Sequence, residues 1–231
     1  MKRHPLFSVT LVLGLIILTA CASPAPTTVS VETDIVSTQA PATAAPAATE
    51  VTAPEATVST TTAMDPSLAC ANGQTSAAVT VSLTEGPYYT PNTPERANLI
   101  DAGMPGVKLV VTGYVYDTNC QPVANAWLDF WQADANGVYD NSGYTLRGHQ
   151  YTDASGRYEL TTVVPGIYPG RTEHIHLKVQ APNGEVITSQ LFFPGVTQND
   201  EDGIYDPSLL LVIQETSDGL LGQFNFVVPA R

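Results

Sequence analysis

Hydrophobic and polar residues alternate along much of the chain after residue 107, which predicts β-strands with one buried face. The alternation is clearest in Val107–Tyr116 and Ala126–Ala133, which are also rich in β-branched and aromatic residues. In the second segment, one face carries Trp127, Asp129 and Trp131 and the other carries Leu128 and Phe130. Further strands are predicted at Arg157–Val163, Glu173–Gln180, Glu185–Phe193, Leu209–Gln214 and Phe224–Val228.

Turn-forming pairs separate these segments, so the strands between them are short. The pairs are Pro105-Gly106, Asn136-Gly137, Ser155-Gly156, Pro165-Gly166, Asn183-Gly184, Pro194-Gly195 and Asp218-Gly219. Many short strands with frequent turns predict an all-β fold, built as an antiparallel β-sandwich. No long stretch shows helical spacing, so we expect at most short helices in loops, near Pro94–Ala102 or Asp206–Leu211.

The N-terminal residues have the features of a bacterial lipoprotein signal peptide. Lys2 and Arg3 precede an uncharged apolar run, Leu11 to Leu18, which is too short to span a bilayer as a mature helix. The run continues into Thr19-Ala20-Cys21 and resembles a lipobox, in which the cysteine is lipidated. We therefore predict that residues 1–21 direct export and that Cys21 anchors the protein to a membrane outside the cytoplasm. The alternative is an ordinary signal peptide with an unmodified cysteine.

Composition divides the remainder of the chain into two parts. Residues 22–64 consist mainly of Thr, Ala, Pro, Val and Ser without an aromatic residue, which predicts a disordered tether. Residues 65–231 hold the alternating segments and are long enough for one domain with its own core. The formal charge of −13 comes without a basic cluster, so we do not expect nucleic acid as a partner.

The chain has three cysteines, of which Cys70 and Cys120 remain for pairing if Cys21 carries lipid. Outside the cytoplasm, such a pair commonly forms a disulfide. A bridge between them would attach the start of the domain to a turn of the sandwich and stabilise the fold by roughly 4 kcal/mol. Two free thiols are the alternative.

His174 and His176 give the strongest local signal for chemistry. They lie two residues apart on a predicted strand, so both imidazoles face the same side and can bind one ion. Taken alone, the pair fits a structural role equally well. The sequence has no cysteine cluster or helical histidine pair that would complete a zinc site. Tyr139 and Tyr168 each follow a predicted turn earlier in the chain.

Several motifs surround these residues. In chain order they are Thr84-Glu85-Gly86-Pro87-Tyr88-Tyr89, Gly113 to Pro122, Ala126 to Asp140, Leu146-Arg147-Gly148, Pro165 to His176 and Thr188 to Phe193. Together they resemble the intradiol ring-cleavage dioxygenases, the family of protocatechuate 3,4-dioxygenase and catechol 1,2-dioxygenase. The resemblance covers most of residues 65–231 and none of the tether.

The resemblance implies a non-haem iron(III) centre whose ligands are Tyr139, Tyr168, His174 and His176. Phenolate suits ferric iron, because both are hard and because the metal lowers the pKa of the phenol. It also implies that the substrates are a catechol-type aromatic and O2. The ring would open between the two hydroxylated carbons and give a muconate-type product.

The resemblance further implies roles for residues beside the metal. Tyr168 would leave the metal and accept a proton from the substrate, and Arg171 would stabilise negative charge on it. Gln190, Pro87 and Tyr88 are expected to bind the substrate. These assignments concern residues that match the family's motifs by position.

Two departures from the family are visible. Glu173 stands where many members have proline, and strand alternation predicts that it points away from the metal toward the rim. No counterpart of the helical region through which catechol 1,2-dioxygenases dimerise is recognised, so the oligomeric state stays open.

Two other functions also stay open: a transthyretin-like sandwich that binds a ligand without catalysis, and a zinc hydrolase that uses the histidines. An iron–tyrosinate protein would be red-brown, whereas a zinc hydrolase would be colourless.

Overall fold

The structure is a computed structural model that describes residues 66–230, and these residues form a sandwich of two β-sheets. The strands in this part are β1 (Lys108–Asp117), β2 (Trp127–Trp131), β3 (Arg147–Tyr151), β4 (Arg157–Val163), β5 (His174–Gln180), β6 (Val186–Phe192), β7 (Val212–Thr216), β8 (Gly219–Gln223) and β9 (Phe226–Val228). Three short 3-10 helices lie in loops, at Pro66–Leu68, Thr197–Asp200 and Pro207–Leu209. The predicted all-β sandwich with only short helices is confirmed.

The predicted signal peptide, the lipidated Cys21 and the tether lie outside the described residues. Among residues 66–230, no helix has both the length and the apolar character needed to cross a membrane.

One sheet has five strands and the other has four. The five-stranded sheet has the order β4-β1-β8-β7, and β9 pairs with the end of β1. Both β8 and β9 run parallel to β1, which the alternation of side chains does not reveal. The four-stranded sheet has the order β3-β2-β5-β6 and is antiparallel throughout.

The core lies between the two sheets and takes one apolar face from each alternating strand. Phe130 of β2 and Ile175 and Leu177 of β5 are fully buried in it. Burying a side chain of this size stabilises the fold by roughly 1.5–3 kcal/mol. Successive residues of a strand point to opposite faces, so His174 and His176 point to the outer face of the four-stranded sheet. The fold thus directs both imidazoles away from the main core.

Residues 77–99, here called the edge segment, close the outer edges of three strands. The amide of Leu83 donates to the carbonyl of Thr188 on β6 (2.8 Å). Farther along, Glu95 pairs with His149 of β3, and Asn98 pairs with Thr161 of β4. The helix predicted at Pro94–Ala102 is therefore wrong, because this stretch is extended and pairs with strand edges instead.

Other boundaries also differ from the sequence prediction. The strand expected at Leu209–Gln214 begins later, as β7 at Val212, because Pro207–Leu209 forms one of the 3-10 helices. That helix lies within Asp206–Leu211, the second place where a short helix was predicted. The side chain of Asp206 begins it by accepting a hydrogen bond from the Ser208 amide.

Cys70 and Cys120 form a disulfide in the structure, with 5.2 Å between their Cα atoms. The bridge joins the start of the described residues to the turn after β1, as the sequence interpretation expects. It closes a loop between two cysteines that lie 50 positions apart in the sequence.

Candidate metal centre

The candidate site lies on the outer face of the four-stranded sheet. Cross-strand pairing places Trp131 between Arg147 of β3 and His176 of β5, and His176 opposite Gln190 of β6. All four side chains are buried. Polar residues on an outer face are therefore shielded here by the loops that pack over them.

The imidazoles of His174 and His176 face each other and are held in the neutral form. The Nδ1 atom of His174 lies 2.7 Å from the carbonyl of Thr172 and donates to it, which leaves Nε2 of His174 as a lone-pair donor for a metal. The Nε2 atoms of His174 and His176 are 3.0 Å apart. Burial, and next the charge of Arg171, lowers the pKa of His174 to about 4. Burial, followed by the neighbouring His174, also lowers the pKa of His176 well below its usual value.

Two tyrosine hydroxyls approach the same point from separate turns. The Oη atoms of Tyr139 and Tyr168 each lie 3.5 Å from Nε2 of His174. Gly137 allows the turns to touch, since a Cβ at this position would lie 2.2 Å from the carbonyl oxygen of Ile167. Its φ of +79° is also a conformation that favours glycine. Packing of one turn against the other thus fixes the spacing of the two phenols.

These four donors fit a single metal ion. Bonds of about 2.0–2.1 Å to one ion place neighbouring donor atoms roughly 3–3.5 Å apart, which matches the separations around His174. Burial raises the pKa of both Tyr139 and Tyr168, so the phenols stay protonated unless a cation balances the phenolate. In residues 66–230, no group of three or more His, Cys, Asp and Glu side chains can hold a metal. The tyrosines are needed to complete a donor set.

Arg171 is held beside the tyrosine by two other side chains. Its Nε atom donates to the Asp202 carboxylate at 2.9 Å, and Nη2 donates to Oε1 of Gln190 at 2.5 Å. Its Nη1 atom lies 3.4 Å from Oη of Tyr168. The Gln190 amide also donates to the carbonyl of Thr84 at 3.1 Å, so both ends of this side chain are occupied by protein groups. Gln190 therefore positions Arg171 in this structure.

Aromatic rings enclose the donor atoms. Tyr88 stacks on Tyr139 with 4.3 Å between ring centroids and meets Tyr168 edge-on at 6.1 Å. Trp131 stacks almost parallel on His176, with 4.9 Å between centroids and 7° between planes. These rings help to bury the imidazoles of His174 and His176. Pro87 is exposed next to Tyr88.

Glu173 is half-buried and directly precedes β5. Burial raises the pKa of its carboxyl group. Because Ile175 two residues later belongs to the core, alternation turns Glu173 away from the histidine face.

Sequence reasoning missed two groups that support the site. Asp202 is one of them, since an acidic run from Asp200 to Asp202 has the composition of an ordinary surface turn. The other is the Asp129 carboxylate behind Trp131, which accepts from Tyr89 (3.0 Å) and Thr93 (2.7 Å). A buried acid at a strand position was the available signal for Asp129, and no signal in the sequence marked Asp202.

A family model described as "Dioxygenase" matches residues 84–228, which include all four donor residues. The chain belongs to the intradiol dioxygenase family. The resemblance identified from the sequence motifs is thereby confirmed.

Two curated relatives illustrate the similarity. The protocatechuate 3,4-dioxygenase beta chain of Burkholderia cepacia is 32% identical over 147 residues, covering 55% of this chain and 61% of that protein. The catechol 1,2-dioxygenase of Candida albicans is 28% identical over 154 residues, covering 54% of this chain and 51% of that protein. The chain thus spans about half to three-fifths of the length of these relatives.

Solved structures show the same fold. One is the dioxygenase domain of a dioxygenase carbohydrate-binding protein fusion from the cellulolytic bacterium Streptomyces sp. SirexAA-E. It is 47% identical to this chain, with a TM-score of 0.65. The match covers 67% of this chain and 100% of that one. An intradiol ring-cleavage dioxygenase from Tetranychus urticae is 28% identical with a TM-score of 0.60, covering 66% of this chain and 95% of that one.

Proposed function

We propose that this protein is an iron(III)-dependent dioxygenase that cleaves catechol-type rings between the two hydroxylated carbons. The observation that carries the proposal is the convergence of two phenol oxygens and two imidazole nitrogens around Nε2 of His174. The relatives support the substrate class, since they are named as protocatechuate, catechol and hydroxyquinol dioxygenases. Tyr139, Tyr168, His174 and His176 would hold the metal.

Bound iron(III) would act as a Lewis acid toward the catechol oxygens and make the ring reactive toward O2, both of whose atoms enter the muconate-type product. The chain's own contribution at this step is proton handling by Tyr168. Its phenolate oxygen, on leaving the metal, would accept a proton from the substrate and become the neutral hydroxyl, and burial, which raises the pKa of Tyr168, would help it to retain that proton.

Arg171 supplies fixed positive charge beside the reacting ring. Asp202 and Gln190 hold the guanidinium in place before substrate arrives, so no reorganisation is needed when negative charge develops. Tyr88, which stacks on Tyr139, forms part of the wall against which the substrate ring packs.

We also propose that the protein is exported and anchored through a lipid on Cys21. The support comes from the N-terminal sequence and from the Cys70–Cys120 disulfide, a type of bond that persists mainly outside the cytoplasm. Mass spectrometry of the mature N-terminus tests the proposal, and an unmodified Cys21 would contradict it.

Visible absorption of the iron-loaded protein tests the proposed metal centre. We expect a broad tyrosinate-to-iron band, which Tyr168→Phe shifts and His176→Ala weakens. Tyr114→Phe is the matched control, because Tyr114 is a partly exposed tyrosine on β1 in the other sheet. Oxygen uptake with catechol measures activity in parallel. A colourless protein that stays inactive after loading with iron would support a non-catalytic binding module instead.

A further inference from the structure

A cavity of about 410 Å³ opens beside the candidate centre, against Tyr168 and Arg171. Its lining includes the apolar side chains of Ile167 and Pro169 and the carboxylate of Glu201. The cavity contacts the ligand that is proposed to leave the metal, so groups attached to the substrate ring have room there. Its charges then decide which ring substituents are accepted.

The cavity holds one uncompensated charge among its lining residues. Arg171 and Asp202 form an ion pair in which both side chains are largely buried, so their charges offset each other. Glu201 is exposed and follows the helix Thr197–Asp200, whose last residue is a second exposed acid. The mouth of the cavity is therefore negative.

All six lysines and arginines of residues 66–230, Arg171 included, contact other groups of the protein. Five of them are in salt bridges: Arg96 with Asp101, Lys108 with Asp218, Arg157 with Glu159, Arg171 with Asp202, and Lys178 with Glu85. The sixth, Arg147, is fully buried and donates twice to the carbonyl of Asp140. Arg171 is the only lysine or arginine among the residues that line the cavity, and it is already paired with Asp202, so a substrate carboxylate entering there would meet no unpaired cation in the lining.

We propose that the site selects catechols whose ring substituents carry no negative charge, and that Glu201 is a residue that determines this specificity. The inference rests on the proposed function. A carboxylate loses hydration on entering a partly enclosed site and needs a cation in return. Here it meets Glu201 instead, while the apolar side chains of Ile167 and Pro169 suit uncharged apolar groups.

An isosteric pair of ligands isolates the effect of charge. 3,4-Dihydroxybenzamide and 3,4-dihydroxybenzoate have nearly the same shape, and only the second carries a negative charge. Their binding to the anaerobic, iron-loaded protein is measured through the change that each causes in the visible band, so that no turnover is needed. We expect the amide to bind about tenfold more tightly, a difference of about 1.4 kcal/mol. Added salt should reduce the difference, because screening weakens repulsion from Glu201.

Charge reversal at Glu201 tests the assignment to this residue. In Glu201→Lys we expect the ratio of the two affinities to fall about fivefold, and in Glu201→Gln about twofold. Glu215→Lys is the matched control, since Glu215 is an exposed acid on β7 in the other sheet, and its ratio should equal that of the wild type.

The outcomes separate the inference from the function on which it rests. A benzoate that binds as tightly as the amide overturns the charge selectivity, and a ratio unchanged in Glu201→Lys overturns the role of Glu201 in it. Both results leave the metal centre intact. A protein without a visible band, to which neither ligand binds, overturns the proposed function and the selectivity with it.

Discussion

Asp202 should be required to hold Arg171, and replacing it with asparagine removes the charge while keeping the shape. Its carboxylate accepts from Arg171 Nε (2.9 Å) and from the amides of Thr172 (3.0 Å) and Ile204 (2.9 Å). Only 1% of the Asp202 side chain and 13% of the Arg171 side chain are exposed. Asparagine retains one acceptor oxygen but presents an NH2 group where a second acceptor is needed.

The loss of folding stability in Asp202→Asn follows from the burial of this ion pair. Removing one partner of a buried ion pair typically costs 3–5 kcal/mol, and the oxygen that asparagine retains places Asp202→Asn near the lower limit, at about 3 kcal/mol. Burial by itself raises the pKa of Asp202, but the hydrogen bonds from Thr172, Ile204 and Arg171 outweigh it and hold the pKa below its usual value.

The lowered pKa gives the effect a pH dependence with a definite sign. The carboxylate stabilises the fold at pH values above about 3.9, its pKa in an unfolded chain, and this contribution is lost as the pH falls through the lower folded value. The difference in the free energy of unfolding between the wild type and Asp202→Asn should therefore be largest at neutral pH and become smaller below about pH 4.

Denaturant unfolding measured from pH 3 to 8, together with kcat, KM and the visible band, tests the whole chain of reasoning. We expect a lower kcat with the iron band retained, because Arg171 is displaced while the four donors remain. Asp218→Asn is the control, since Asp218 forms an exposed pair with Lys108 and its loss should change little. Equal stability of Asp202→Asn and the wild type at neutral pH would refute the role of Asp202.

Two further predictions concern the disulfide and the touching turns. Replacing Cys70 and Cys120 with serine should lower the free energy of unfolding by about 4 kcal/mol, measured by denaturant titration; a change below about 1 kcal/mol would contradict the constraint. Gly137→Ala should destabilise the protein and shift the visible band, because the new Cβ clashes with the Ile167 carbonyl. Gly170→Ala is its control, with a similar φ of +80° but nothing within 4 Å, and should cost only about 1 kcal/mol; equal effects of the two would argue against the clash.

Strands with clear apolar alternation or β-branched residues were predictable from the sequence, and strands without them were missed. Arg157–Val163 was predicted with the bounds of β4, since its apolar residues alternate. β3 was not predicted because its sequence, Arg-Gly-His-Gln-Tyr, has no apolar alternation. Its Arg147 and His149 face the outer side of the sheet. β8 was missed because it is short, begins at Gly219 of the predicted turn Asp218-Gly219, and contains Gly222, a residue type that is unusual in a strand interior.

The candidate donors were predictable because they lie in motifs, whereas their supports were not. His174 and His176 share a strand face by simple alternation, and the tyrosines were placed through the family resemblance. Asp202 approaches Arg171 from 31 positions farther along the chain, across a loop whose path no local pattern specifies. The occupied amide of Gln190 likewise depends on the backbone of the edge segment.

The edge segment has a consequence for the order in which the chain can be assembled. Residues 77–99 pair only with residues that come later in the chain, and the most distant of these is Val227, whose carbonyl accepts from the Thr80 amide. Closing such long loops costs entropy and slows pairing, so we expect the segment to dock, and the borders of β3, β4 and β6 to be covered, late in folding. During that interval two newly made copies can join through those borders, and the Cys70–Cys120 bond shortens it by tethering the start of the segment beside β1.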